Sequence, residues 1–194
     1  MRRVVVTGMG IVSSLGVGLK KNWCDLLAGN SGITAIENFD VSDLPAKIAG
    51  QVPKGSIADG LFTADDWVPV KDQRRMDDFI IYGLCAAQQA FEDSGWRIDS
   101  EEDSWRTGVL IGSGIGGLPE IADGSVKVHE GRARRLSPFF IPASLINLIS
   151  GHVSIRYGLK GPNHAVVTAC STGAHAIGDA ARIIMWEDAD VMVA

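Results

Sequence analysis

Apolar positions in this chain follow two alternating rhythms, short unbroken runs and helical spacings. Residues 4–6 (Val-Val-Val) form an apolar run closed by Gly8-Met9-Gly10, and read as a buried strand. Leu19, Trp23, Leu26 and Leu27 then share one helical face, with Gly29 placed to end the helix. From 40 to 70 the pattern weakens; Pro45, Gly50, Pro53, Gly55, Gly60 and Pro69 punctuate it and predict a surface excursion. Asp77-Asp78 opens a helix that carries Ile80, Leu84, Ala87 and Phe91 inward and closes at Gly95. A strand over 107–111 runs into Gly112-Ser113-Gly114-Ile115-Gly116-Gly117. A long helix from near Pro142 brings Leu145, Ile149 and Val153 inward and stops at Gly158. Residues 165–168 read as a strand, 171 to about 186 as a helix, and 191–194 as the start of another strand. Short apolar strands between helices indicate an α/β fold with a mostly parallel sheet covered on both faces. No internal repeat or linker divides residues 1–194, so they are expected to form one unit. The last residues look like a core strand just beginning, so a fragment of a longer protein is expected.

Composition narrows the function classes. Of 194 residues, 46% are hydrophobic and 21% charged, which suits a packed core and not a disordered segment. The net charge of −5 argues against a nucleic-acid binder. Three scattered cysteines, Cys24, Cys85 and Cys170, provide neither a disulfide framework nor a zinc site. The N-terminal apolar run is too short for an export signal and no stretch is long enough to span a bilayer, so a cytoplasmic address is the default expectation.

The most telling chemistry surrounds Cys170. An apolar run delivers it to a sharp turn, and a helix of very small residues follows at once: Gly173, Ala174, Ala176, Gly178, Ala180 and Ala181. Such residues suit a close approach of another backbone, so this helix is expected to be central and buried, with Cys170 at its N-terminal end. Unpaired backbone N–H groups and the positive end of the helix dipole stabilise negative charge there, on sulfur or on a thioester oxygen held against it. Spacing alone leaves open a second reading, a small buried cysteine in a strand-to-helix turn. For Cys24 and Cys85, within amphipathic helices, that plain reading is preferred.

Other tempting signals lose force on inspection. His175 lies five positions beyond Cys170, off its helical face, and suits a hydrogen-bonded core or interface histidine better than a catalytic base. His129, His152 and His164 have no metal-ligand spacing, so no metal is expected. Gly112, Gly114 and Gly117 match the dinucleotide fingerprint by letter, yet Leu118-Pro119 falls where the phosphate-binding helix should run, and no acidic residue follows about 20 positions on.

The stretch from Thr168 to Gly178, Thr-Ala-Cys-Ser-Thr-Gly-Ala-His-Ala-Ile-Gly, closely resembles the active-site signature of the 3-oxoacyl-(acyl-carrier-protein) synthases, type II in particular. The likeness runs the length of the chain, through Arg3 to Gly10, Gln73-Arg74-Arg75-Met76-Asp77, the glycine loop 112–117 and Ser137-Pro138-Phe139-Phe140-Ile141-Pro142. It implies a thiolase-like fold built of two similar α/β halves, of which this chain is the N-terminal one, with the C-terminal half absent. It implies a homodimer with no cofactor. It also implies decarboxylative condensation: Cys170 accepts an acyl group from acyl-carrier protein, then a carbanion from malonyl-carrier protein attacks the thioester. Two assisting histidines and a lysine belong to the second half. By the same resemblance Ile115 lines the acyl channel and Phe140 reaches it across the dimer interface; for Phe140 plain core packing remains the alternative. Carrier proteins are acidic, so Lys71, Arg74, Arg75, Arg134 and Arg135 become docking candidates on a chain that is acidic overall. A polyketide-type ketosynthase and a non-catalytic chain-length partner share the likeness, but the latter lacks the nucleophile. A thiolase shares the architecture with different wording around the cysteine.

Overall fold

The computed structural model describes residues 2–194. In chain order, an antiparallel hairpin, β1 (Val12–Ser13) and β2 (Gly16–Val17), leads to α1 (Leu19–Leu27). A second hairpin follows, β3 (Ile33–Ala35) and β4 (Ile48–Gly50). Then come α2 (Val70–Gln73), α3 (Asp78–Ser94), α4 (Glu101–Arg106), β5 (Thr107–Leu110) and α5 (Leu118–His129). The chain continues through α6 (Phe140–Ser144), α7 (Leu148–Tyr157), β6 (Asn163–His164), α8 (Thr172–Met185) and β7 (Val191–Val193).

The centre is a parallel sheet in the order β6-β5-β7. All four residues of β5 are buried, as a strand covered on both faces requires. Because successive side chains alternate, β5 feeds two cores. Val109 points into the larger one, with Ile80, Ile81, Leu84 and Cys85 of α3 and Ile149 and Val153 of α7. Leu110 points the other way, onto Ala176 and Ala180 of α8, with Val166, Ile183 and Met192 around them. The expected parallel α/β arrangement is therefore present, with α3 and α7 on one side and α8 on the other.

Helix α3 follows its sequence pattern closely. Asp77 is its N-cap, Gly95 closes it in the left-handed conformation (φ 65°), and Ile80, Leu84 and Ala87 are buried. Burying side chains of the size of Ile80 and Leu84 contributes about 1.5–3 kcal/mol each. Cys85 shares this core, and burial pushes its thiol up to about 12.

Several expectations are corrected. Residues 4–6 form no strand; Val5 and Val6 are exposed. The segment is fastened instead by side chains: Arg2 pairs with Asp190, the Met9 amide donates to Asp93 Oδ2 (2.9 Å), and the Ile11 amide donates to Gln89 Oε1 (3.3 Å). It lies so close to α3 that a Cβ at Gly10 would stand 2.0 Å from the Ala86 carbonyl oxygen. The apolar face of α1 points outward, with Leu19, Trp23, Leu26 and Leu27 all exposed. Its buried residue is Asn22, whose amide donates to the carbonyls of Gly16 (3.1 Å) and Gly18 (2.9 Å), so a polar anchor seats the helix on the first hairpin. Cys24 on that helix is exposed, not buried. The excursion between 40 and 70 is real, yet Phe62 and Val68, each 1% exposed, pin it into the main core.

The helix foreseen from Pro142 is two helices. Leu145 caps α6 in an extended conformation and is exposed, and α7 then ends at Gly158 as expected, with Gly158 in the left-handed conformation. The strand foreseen at 165–168 is shorter and earlier: only Asn163–His164 pair with β5. A buried hydroxyl helps hold this edge. Ser150 Oγ of α7 accepts from the Ile111 amide (2.9 Å) and lies within reach of the carbonyls of His164 (2.7 Å) and Ile111 (3.0 Å). Helix α4, and α5 starting at Leu118, have no counterpart in the sequence reading; Pro119 sits in the first turn of α5, where its missing N–H costs nothing.

At the base of the sheet, Arg106 forks onto Asp190 (2.9 Å and 3.1 Å), and Arg2 adds a second contact. The hydrogen bonds from Arg106 and then Arg2 hold the Asp190 carboxyl well below the usual carboxylate range. The folded value lies below the unfolded one, so this stabilisation is fully present above about pH 4 and is lost as pH falls further. Asp190→Asn should lower Tm at pH 7 by about 1–3 °C and flatten the fall of Tm between pH 5 and pH 3. A thermal melt series across that range checks both.

Candidate active site

The strands β5 and β6 run parallel, and the chain leaving each passes the same end of the sheet. Ligands in open α/β sheets collect beyond the carboxyl ends of the strands. Here β5 continues into the glycine loop 112–117, and β6 continues through 165–168 into the turn that bears Cys170.

That turn is tightly specified. Ala169 to Ser171 form one turn of 3-10 helix, and α8 begins immediately at Thr172. Ala169 has φ 51°, one of two non-glycine residues with positive φ among the described residues. An alanine in this region is uncommon and carries strain that its surroundings must hold. The Ser171 amide donates to the Thr168 carbonyl (3.0 Å) across the turn. Thr172, only 4% exposed, accepts from the Thr168 amide through Oγ1 (2.9 Å) and donates to the Ala169 carbonyl (2.7 Å). The result is an exposed Cys170 on a fixed backbone, one residue ahead of the α8 N-cap, Ser171.

The glycine loop closes against this turn. A Cβ at Gly112 would stand 2.1 Å from the Val166 carbonyl oxygen and 2.4 Å from Thr172 Cγ2; one at Gly114 would stand 3.1 Å from the Ala169 carbonyl oxygen. Glycine is thus needed for contact with the cysteine turn, which is a different use from cradling a phosphate. The argument from Pro119 does not stand, since α5 does begin at Leu118. What occupies the N-terminal end of α5 is the chain's own carboxylate: Asp77 Oδ2 accepts from the Glu120 amide (3.0 Å), filling the place a phosphate would take. Ile115 lies at the bend of the loop beside Gly114 and is 64% exposed.

Phe140 opens α6, and its ring lies against α5: a Cβ on Gly124 would stand 2.4 Å from Phe140 Cε2. Within one copy of the chain, then, Phe140 does packing work. Lys71 is on α2, Arg74 caps it, Arg75 follows, and Arg134 and Arg135 form the single turn 133–135; all five are exposed. The Arg75 guanidinium lies over the Phe139 ring, 4.9 Å from its centre, a few residues beyond the second basic segment.

The expectation of a buried α8 is half right. Thr172, Ala176 and Ala180 are buried against the sheet, whereas Gly173, Ala174 and Gly178 face outward, and a Cβ at Gly173 or Gly178 would meet nothing within 4 Å. The segment leading to Cys170 is likewise largely exposed and outside the ladder. His175 is exposed rather than in a core. Its Nδ1 is 3.3 Å from Thr168 Oγ1 and its Nε2 3.0 Å from Asp179 Oδ2, so it braces the turn from outside. Thr172, Asp77 and Ser150 are the residues that sequence reasoning missed. Asp77 and Thr172 each had one visible signal, a place in the Gln73 to Asp77 motif and in the Thr168 to Gly178 stretch; Ser150 had none.

Comparison with known proteins agrees with this geometry. The family model "Beta-ketoacyl synthase, N-terminal domain" matches residues 1–194. The chain is 57% identical over its full length to 46% of a 3-oxoacyl-(acyl-carrier-protein) synthase 2 from Rhizobium meliloti (strain 1021). It is 46% identical, again over its full length, to 44% of a mitochondrial 3-oxoacyl-(acyl-carrier-protein) synthase from Arabidopsis thaliana. A crystal structure of a beta-ketoacyl synthase from Burkholderia phymatum STM815 superposes with a TM-score of 0.81 at 26% identity, over 97% of this chain and 45% of that one. The chain spans about half the length of the curated relatives it matches. With its parallel sheet, its clamped cysteine turn and a match along its whole length, this chain belongs to the beta-ketoacyl synthases, as an N-terminal domain of that family.

Proposed function

We propose that the whole protein catalyses decarboxylative condensation of an acyl thioester with malonyl-acyl-carrier protein in fatty-acid elongation, with Cys170 as the acyl acceptor. The observation that carries this reading is an exposed thiol on a strained, hydrogen-bonded turn directly ahead of a long helix, beyond the carboxyl ends of parallel strands. The sulfur attacks the thioester carbonyl, a new carbon–sulfur bond forms, and the carrier thiol leaves. Malonyl-carrier protein then loses carbon dioxide, and the electron pair left on carbon attacks the Cys170 thioester. That bond closes the 3-oxoacyl product and frees the cysteine thiolate. On this reading, the N-terminal end of α8 beside Cys170 supplies backbone N–H groups and helix-dipole charge that stabilise the negative oxygen as it develops.

On this reading Ile115, exposed at the bend of the loop beside the cysteine turn, borders the acyl chain. Phe140 serves the channel of a second copy in a homodimer. Lys71, Arg74, Arg75, Arg134 and Arg135 receive an acidic carrier protein, and the cytoplasm is the proposed setting. No cofactor is required by the chemistry. Asp77 ties the two themes together, because one carboxylate caps α3 behind the basic segment and also engages the first turn of α5 behind the glycine loop.

Cys170→Ala in the whole protein should abolish acyl transfer from acyl-carrier protein, a loss of at least about 1,000-fold, as for the removal of other activated nucleophiles. Mass spectrometry of the protein after incubation with acyl-carrier thioester should find the acyl group on Cys170 and on neither other cysteine. Charge reversal at Arg74 and Arg75 together should raise KM for carrier-protein substrates by about 10-fold at low salt, with a smaller effect at high salt, and leave kcat nearly unchanged. Residues 1–194 alone should not turn over malonyl-carrier protein, which a carbon dioxide release assay on the purified segment would check.

A further inference from the structure

We propose that Thr172 is a positioning residue for the nucleophile: its buried hydroxyl holds Ala169 in the left-handed conformation that presents the Cys170 thiol. The inference rests on Cys170 being the acyl acceptor and goes beyond it by naming what fixes the sulfur in place.

The geometry is specific. A positive φ at alanine is unfavourable, so the turn would relax toward an ordinary conformation unless its ends were held. Relaxation would turn the Ala169–Cys170 peptide and carry the sulfur with it. The two backbone groups that must stay fixed are the Thr168 N–H ahead of Ala169 and the Ala169 carbonyl behind it. Thr172 Oγ1 binds both, accepting from the first at 2.9 Å and donating to the second at 2.7 Å. One hydroxyl therefore brackets the strained residue. It is also shielded from competing water, since Thr172 is 4% exposed while Thr168, Ala169, Cys170 and Ser171 are all exposed.

Thr172 is itself held. As the first residue of α8 it is buried against the sheet, and its methyl group meets the loop at Gly112, where a Cβ would stand 2.4 Å from Cγ2. The hydroxyl thus hangs the turn from the rigid side of the helix. His175 acts from the solvent side on Thr168 Oγ1, where water can replace it; it is not given this role.

The test compares Thr172→Val, which keeps shape and removes both hydrogen bonds, with Thr172→Ser, which keeps the hydroxyl. A third variant adds Ala169→Gly to Thr172→Val, because glycine adopts positive φ without strain and needs no clamp. In the whole protein, alkylation by iodoacetamide is followed at each cysteine by mass spectrometry, with exposed Cys24 as internal reference and protection of buried Cys85 as the check on folding. Thr172→Val should slow alkylation of Cys170 by about 10-fold to 100-fold, the scale on which misplacing a reacting atom acts, and lower kcat for acyl transfer with KM for the carrier protein within about twofold. Thr172→Ser should stay within about threefold of the parent rate, and the added Ala169→Gly should recover most of the loss; a group that only packs would not be rescued this way. If Cys170 outpaces Cys24 in the parent protein and keeps that rate in Thr172→Val, the role of Thr172 is refuted while the nucleophile reading stands. A parent protein in which Cys170 reacts no faster than Cys24 would overturn both. Should Thr172→Val fold poorly, exposing Cys85, the comparison passes to the double variant, and a slow Cys170 there with Cys85 protected counts against the proposal.

Discussion

Burial of β5 on both faces is the constraint from which the rest of the structure follows. A strand whose side chains alternate between two cores must be covered on both sides, and its backbone must be paired at both edges. Val109 binds it to α3 and α7, Leu110 binds it to α8, and β6 and β7 complete its hydrogen bonds. Parallel neighbours in turn require crossovers, so α7 must return the chain before β6 and α8 must return it before β7. The loops that leave the carboxyl ends of β5 and β6 are then forced side by side. The glycine loop and the cysteine turn meet there, with Gly112 and Gly114 removing the side chains that would hold them apart.

How much of this was legible depends on the kind of interaction. Helix α3 was readable almost residue by residue, because its apolar positions are buried where the helical period places them and its caps carry ordinary cap residues. The same period misled at α1, where Asn22, not the apolar face, is the buried anchor. Periodicity reports that a helix has two unlike faces; it does not say which neighbour each face meets. Residues 4–6 failed for a related reason. Three valines favour extended backbone, but a strand also needs an edge to pair with, and here side chains of Asp93, Gln89 and Asp190 hold the segment instead. Phe62 and Val68 were hidden in a segment rich in proline and glycine, since single anchors leave no periodic trace.

At the site, spacing brought Cys170 to the head of a helix, and the resemblance supplied its chemistry; neither exposed the means of holding it. Thr172 and Ser150 act through single hydroxyls on backbone groups distant in kind from anything a pattern of apolar and polar letters encodes. The fingerprint Gly112, Gly114, Gly117 shows the opposite hazard. Its letters fit a dinucleotide loop, and a helix does follow, yet each glycine is accounted for by a neighbour in the chain: Val166 and Thr172 at Gly112, Ala169 at Gly114, Ser144 and Asp77 at Gly117. Glycine marks close approach, and only the structure says what approaches.

The three cysteines show why exposure and placement must be argued separately. Burial removes Cys85 from chemistry, raising its thiol to about 12 and leaving Gln89 as its neighbour at 3.3 Å. Exposure alone would make Cys24 and Cys170 equivalent. They differ in backbone: Cys24 sits in the middle of α1, where every amide nearby belongs to the helix, whereas Cys170 lies just ahead of α8, at the end where a helix has amides without intrahelical partners. A thiol on a flexible loop would sample those amides only part of the time. The bracketed turn at Ala169 removes that freedom, so the strain carried by one alanine is the physical counterpart of a sulfur kept in a single place.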